Sequence, residues 1–227
     1  MHWSRFPLEP LVQDDGHDAT IMGDARQIMD LIDQRDKIRQ AVRQQRQGLT
    51  PAQVAEHSLQ LANNLLNSRL FQTSQHIAVY LANDGEIDPL FLIDEAWHRR
   101  KQIYLPVLGL RTSNRMWFLP FAEQTALSPN RFGIPEPVHS RRDRLFKPQR
   151  LDLVLMPLVA FDKQGNRLGM GGGFYDRTLA FLNSRHHWRK PRLIGLAYEF
   201  QCIEQLPAQN WDIPLDAIVT EQGFYQV

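Results

Sequence analysis

Cys202 is the single cysteine in 227 residues. That excludes an intramolecular disulfide and any cysteine-based metal cluster, and it points to a reducing, intracellular setting. Long apolar runs are missing too. The longest, Leu153 to Phe161, has nine residues and contains Pro157, less than half of what a bilayer-spanning helix needs. The first ten residues, MHWSRFPLEP, lack the charged-then-apolar layout of a secretory signal. A soluble, cytoplasmic protein without membrane contact is expected. Nor does one sign of charge dominate: 26 basic against 25 acidic side chains leave a net charge of +1, which names no polyanionic partner such as nucleic acid.

What is present is ordinary for a globular chain. Hydrophobic residues make up 43% and charged residues 22%, values that exclude wholesale disorder, collagen and coiled coil. The length lies near the upper end of what one core supports, so one domain of roughly 190 residues with a tail accounts for it. Residues 1–33 differ from the rest. Seven acidic residues (Glu9, Asp14, Asp15, Asp18, Asp24, Asp30, Asp33) face only Arg5 and Arg26, a net charge of −5, and apolar residues keep no sustained period. An acidic, weakly ordered extension is expected over 1–33, with a possible helical turn near Ala25 to Leu31, and a folded domain over 34–227.

From Gln34 to Gln47 the pattern is helical: Ile38, Ala41 and Val42 form an apolar edge while Arg35, Arg39 and Arg43 recur every four residues. Gly48 ends that helix, and Thr50-Pro51 opens a second, running to Phe71, with Thr50 as N-cap. Strands are then expected at His76–Leu81, Gln102–Val107, Met116–Phe121 (an edge), Leu151–Val159, Arg192–Ala197 and Ala217–Thr220. Helices are expected at Pro89–Arg100 and Tyr175–Ser184. Near-continuous apolar strands alternating with helices predict an α/β fold, a three-layer αβα domain with a mostly parallel sheet covered on both faces.

The chemistry concentrates in Phe161 to Arg177. Gly169, Gly171, Gly172 and Gly173 place four of the 13 glycines within five positions, between the most apolar strand and a helix. Glycine lets a ligand approach the main chain, and successive free N–H groups opening a helix form an anion site. Arg167 and Arg177 flank the segment. A tight turn is the alternative reading of such a cluster. Neither familiar fingerprint fits: Phe174 occupies the third glycine position of G-x-G-x-x-G, and no P-loop ending is present.

Gly165-Asn-Arg-Leu-Gly-Met-Gly-Gly-Gly-Phe-Tyr-Asp176 resembles the signature of the 5-formyltetrahydrofolate cyclo-ligase family, also called 5,10-methenyltetrahydrofolate synthetases. Weaker matches follow the family order: Arg35 and Arg39, Tyr80-Leu81 with Glu86, Leu105-Pro106-Val107, Met116, Phe132-Gly-Ile-Pro-Glu-Pro137, Leu196-Ala197, Gln201, and Asp212-Ile-Pro-Leu-Asp216. Together they cover about residues 34–224. The resemblance implies a fold like that of isomerases and CoA transferases. It also implies ATP-dependent closure of 5-formyltetrahydrofolate to 5,10-methenyltetrahydrofolate, with Mg²⁺, in a monomer. Carried over by position, it implies ATP contacts at Arg35, Arg39 and the run Arg167, Leu168, Gly169, Met170, Gly171, Gly172, Gly173, Phe174 and Tyr175. It assigns magnesium to Asp176 and Asp212, folate to Tyr80, Leu81, Glu86, Phe132 and Tyr175, and catalytic roles to Arg167, Tyr175 and Asp176. Taken alone, Asp176 is equally a helix-start residue, Asp212 a turn residue before Pro214, and Leu81 a core residue.

Three departures stand out. Arg35 replaces the family's lysine, exchanging a point charge for a planar fork; Met170 stands where arginine is frequent; and residues 1–33 have no counterpart in the family core. Other signals are weaker. Eight histidines are scattered except for His186-His187, without metal-ligand spacing. Cys202 reads as a small buried hydrophobe, and the basic clusters Arg141–Arg144 and Arg185–Lys190 as solvated loops, or as attractors of a folate polyglutamate tail. The rival functions are a sugar-phosphate isomerase or CoA transferase that consumes no ATP, and a non-catalytic folate- or nucleotide-binding protein.

Overall fold

Alternation of apolar side chains decides the architecture of the computed structural model, which describes residues 16–109, 114–139, 146–184 and 190–227. In strand β6 (Leu153–Pro157), Leu153 and Leu155 join one buried cluster and Val154 and Met156 another. Strands β1 (His76–Ala78), β9 (Arg192–Leu196) and β10 (Ala217–Val219) split their side chains the same way. Such strands are buried on both faces, which suits the middle of a parallel sheet. With β2 (Gln102–Leu108), β3 (Met116–Phe121) and β11 (Phe224–Gln226), they form a seven-stranded sheet in the order β11-β10-β9-β6-β1-β2-β3. The five inner strands are parallel; β3 and β11 pair antiparallel at the edges.

Helices cover both faces. On one, α2 (Pro51–Leu66), α3 (Arg69–Thr73) and α4 (Leu90–His98) bring Leu61, Leu65, Phe71, Leu92 and Ile93 against Ile77, Leu155 and Ile194. The expected cap of α2 is a capping box: the Gln53 amide donates to Thr50 Oγ1 (3.3 Å), and the Thr50 amide donates to Gln53 Oε1 (2.9 Å). The other face is covered by α5 (Phe174–Leu179) and the 3₁₀ turn Ala180–Ser184, through Leu179 and Leu182. Helix α1 (Gly16–Gln47) sets Val42 and Ile38 against Val159, Ala160, Leu168 and Leu206 beyond the carboxyl end of β6.

The structure departs from the sequence expectation in four places. Helix α1 begins at Gly16 rather than Gln34, so the boundary at residue 33 is not a break in the backbone. No proline lies between Pro10 and Pro51 to stop it, and pairs such as Lys37 Nζ–Asp33 (2.7 Å) support its solvent side. The expected helix to Phe71 divides into α2 and α3 where Ser68 caps a new start. Two short hairpins were not anticipated: β4 (Leu127–Pro129) with β5 (Pro135–Pro137), and β7 (Ala160–Phe161) with β8 (Arg167–Leu168). Finally, Ala217–Val219 is followed by one more strand, β11. No helix among the described residues is long and apolar enough to cross a membrane.

Gln201, 1% exposed, fastens the chain leaving β6. Its Nε2 donates to the carbonyls of Leu158 (2.8 Å) and Val159 (2.7 Å), and its Oε1 accepts from the Tyr198 amide (2.8 Å). Gln201→Leu strands these buried groups, so the variant should lose roughly 2–5 kcal/mol of stability, read from urea unfolding. An unchanged midpoint would mean that these groups have other partners.

Candidate functional site

A cavity of about 1050 Å³ opens at the carboxyl ends of β1, β2 and β6, where ligands of parallel sheets bind. Leu81 beyond β1, Pro106 of β2 and Leu158 beyond β6 form its floor. Nearly every residue singled out from the sequence lines it: Arg35, Arg39, Tyr80, Glu86, Phe132, Arg167, Gly169 to Asp176, and Asp212. Leu168 is the exception. It is 1% exposed and packs into the α1 cluster, because strand alternation in β8 turns it away from its neighbour Arg167.

The glycine segment is reached differently from what the sequence suggests. The β7–β8 hairpin intervenes between β6 and the glycines. Its turn is built on the fully buried Asp162, whose Oδ1 accepts from the amides of Gln164 and Asn166 (both 3.0 Å) and whose Oδ2 accepts from Leu206 (3.0 Å). The chain then runs through Gly171 (φ +93°) and Gly173 (φ +63°), conformations that favour glycine. Two arginines hold it by its carbonyls: Arg39 Nε donates to Gly169 O (2.9 Å), and Arg177 donates to Gly172 O. The amides of Met170, Gly171, Gly172 and Gly173 donate no hydrogen bond among the described residues. Helix α5 is only six residues long, so the dipole contribution expected from the sequence is small, and positive charge comes mainly from arginines.

Asp36 Oδ1 accepts from Arg39 Nη1 at 2.5 Å, and carboxylates fix two further arginines of the cavity. Arg167 Nη2 pairs with Asp176 Oδ1 at 2.5 Å, its side chain only 4% exposed. Asp176 Oδ1 also accepts from the Ile213 amide (3.2 Å), which brings the Asp212 segment alongside. Arg35 Nη1 donates to Asp212 Oδ2 and to Pro207 O, both at 2.9 Å, and the Gln209 amide donates to the same Asp212 oxygen (3.0 Å). Each aspartate thus commits one oxygen, while Asp176 Oδ2 and Asp212 Oδ1 accept no hydrogen bond among the described residues. Such a donor set fits Mg²⁺, which takes one or two carboxylates and completes its shell with phosphate oxygens and water. Arg167 and Arg35 would share those carboxylates with it. Among the described residues no group of three or more His, Cys, Asp or Glu could hold a metal by itself.

Aromatic rings and the Glu86 carboxyl line the rest of the cavity. Tyr80 is buried, and its hydroxyl donates to Ile87 O (2.7 Å), so its ring rather than its hydroxyl faces a ligand. Phe132, 55% exposed at the tip of the β4–β5 hairpin, meets Phe174 edge-on with centroids 6.0 Å apart, and Arg131 lies 5.0 Å from its ring. Burial pushes the Glu86 carboxyl up to about 7, against the lowering pull of the Asn83 amide and of Arg46. Burial also raises the Tyr175 hydroxyl well above its usual range. Sequence reasoning missed Trp211, 65% exposed on the cavity wall beside Asp212, although an aromatic preceding a candidate ligand is a readable signal. His186-His187, Arg141–Arg144 and Arg185–Arg189 lie outside the described residues; Lys190 pairs with Asp152 (2.7 Å). Burial raises the Cys202 thiol, which disfavours the thiolate.

Comparison with known proteins identifies the family. A model of the 5-formyltetrahydrofolate cyclo-ligase family matches residues 32–221. The chain is 44% identical over 185 residues to the 5-formyltetrahydrofolate cyclo-ligase of Escherichia coli K12, covering 82% of this chain and 99% of that one. It is 41% identical over 183 residues to the Haemophilus influenzae protein of the same name, covering 80% and 94%. Among solved structures it is similar to Aquifex aeolicus 5,10-methenyltetrahydrofolate synthetase, with a TM-score of 0.70 and 32% identity over 85% of this chain and 92% of the other. The chain belongs to the 5-formyltetrahydrofolate cyclo-ligase family.

The raised Glu86 value has a consequence for stability. Between its usual 4.5 and about 7, the folded state binds this proton more tightly than the unfolded state does. The contribution is complete below about pH 4.5 and is lost as pH rises through about 7. Glu86→Gln should therefore melt above wild type at pH 8, with the gap closing by about pH 5 in thermal scans. A gap independent of pH would contradict this.

Proposed function

We propose that the chain catalyses ATP- and Mg²⁺-dependent cyclisation of 5-formyltetrahydrofolate to 5,10-methenyltetrahydrofolate, releasing ADP and phosphate. The observation that carries this reading is the run of four unpartnered amides, from Met170 to Gly173, on the wall of a cavity large enough for two substrates. Family membership supports the folate substrate. The arginines around the segment support the nucleotide, since phosphoryl transfer depends on alignment and charge neutralisation.

The formyl group on N5 is an amide, so its carbon is a weak electrophile and its oxygen a poor leaving group. Its oxygen attacks the γ-phosphorus of ATP, and ADP departs. N10 then attacks the activated carbon and loses its proton, and phosphate leaves with the original formyl oxygen, completing the N5–C–N10 bridge. The free amides and Arg39, Arg35 and Arg177 would take the phosphates, and Arg167 with Tyr175 would face the transferring group. Glu86 would accept from the donor-rich pterin edge, with Tyr80, Leu81 and Phe132 against its flat faces. Asp176 and Asp212 would hold Mg²⁺, whose charge would offset that of the phosphates when bound. A cytoplasmic setting is part of this reading, in keeping with the single cysteine, and the working unit proposed is a monomer.

Purified protein with 5-formyltetrahydrofolate, ATP and Mg²⁺ should form the methenyl product, followed by its near-ultraviolet absorbance, and form none without ATP. Asp176→Asn should lower turnover at least about tenfold, equivalent to about 1.4 kcal/mol in the barrier, while remaining folded. Product without ATP would indicate the isomerase or transferase class, and binding of both ligands without product a non-catalytic protein.

A further inference from the structure

Between Tyr80 and Ile87 the chain makes a tight turn that no cavity contact explains. Asp84 (φ +52°) and Gly85 (φ +71°) are both left-handed, and the Glu86 amide donates to Asn83 O at 3.1 Å. Two successive positive φ values with this hydrogen bond form a type I′ turn, a conformation that the Asp-Gly pair favours, and its surroundings fix where it sits. The surroundings are the last turns of α1. Arg43 Nε (2.6 Å) and Arg46 Nη2 (2.9 Å) donate to Asp84 Oδ2, and Arg43 Nη2 (3.2 Å) and Gln47 Nε2 (3.1 Å) to Oδ1. Arg46 is wholly buried there, with its Nε lacking a partner. A Cβ on Gly85 would lie 3.3 Å from Arg46 Cβ and 3.4 Å from its backbone, so the turn rests directly on the helix.

Burying a guanidinium with an unsatisfied nitrogen is a poor way to gain stability alone. It does fix one geometry. The Glu86 carboxylate bends back over this same turn, its Oε2 accepting from the Asn83 amide at 3.1 Å. The turn therefore determines where that carboxylate stands in the cavity. Helix α1 also carries Arg35 and Arg39, which hold Asp212 and Gly169 at the phosphate end. From Arg35 to Arg46 the helix advances about 16 Å, enough to span both ends of the site on one rigid element.

We propose that Asp84 is a positioning residue. Clamped by Arg43, Arg46 and Gln47, it sets the Asn83–Glu86 turn and so presents Glu86 to the folate, registered through α1 against the arginines of the phosphate end. The statement about folate rests on the function proposed above; the statement about the turn does not.

Steady-state kinetics and amide exchange on the full chain separate the two. Asp84→Ala should raise the KM for 5-formyltetrahydrofolate about tenfold or more, leaving the KM for ATP within about twofold. Asp84→Asn, which tolerates the left-handed conformation and keeps an acceptor, should fall between. Should Asp84→Ala fail to fold, Arg43→Met removes two of the four bonds at a partly exposed position and should raise the folate KM about threefold. Equal rises in both KM values, or a lowered melting temperature with an unchanged folate KM, would overturn the positioning role. If wild type does not turn over 5-formyltetrahydrofolate, the proposed function fails and exchange decides the clamp. Amides of 83–87 exchanging faster in the variant, with 169–173 unchanged, would uphold it; uniform or unchanged exchange would refute it.

Discussion

A backbone with almost no side chains cannot hold its own shape, and the stretch from Gly169 to Gly173 is such a backbone. Arginines impose order from outside, by donating to its carbonyls rather than its amides: Arg39 to Gly169 O and Arg177 to Gly172 O. Engaging the acceptors leaves the donors free, and free donors in a concave wall are what an anion needs. The positive φ angles at Gly171 and Gly173, the intervening β7–β8 hairpin and the position of α1 all serve this arrangement.

Arg39 is itself held by Asp36, and carboxylates also hold two further arginines that line the cavity. Arg167 is anchored by Asp176, and Arg35 by Asp212. Pairs this buried contribute little net stability, because desolvation offsets much of their attraction. Their value lies in geometry: each guanidinium is pre-set, and each aspartate retains one oxygen that accepts no hydrogen bond among the described residues. Charge gathers where α1, the glycine segment and the Asp212 turn meet, while Tyr80, Phe132 and Phe174 add aromatic rings to the cavity lining.

The sheet and most helices were legible because their signals are local. Leu153 to Pro157 is apolar throughout, and Thr50-Pro51 marks a helix start. The glycine cluster was equally legible, being defined by what it lacks. Two-residue strands such as Ala160–Phe161 show no period, so the β7–β8 hairpin was hidden. The inward turn of the Leu168 side chain is hidden for the same reason, since only the strand shows it. The clamp on Asp84 joins residues 37 to 41 positions apart, a relation that only the folded topology reveals.

The central claim is that a triphosphate lies along the freed amides, with its phosphates between those amides and the arginines. A crystal structure with a non-hydrolysable ATP analogue and Mg²⁺ tests it directly. The account predicts phosphate density within hydrogen-bond distance of the amides of 170–173 and of Arg39. An analogue bound outside the cavity, or phosphates seated away from the 170–173 amides beside Tyr80, would contradict it.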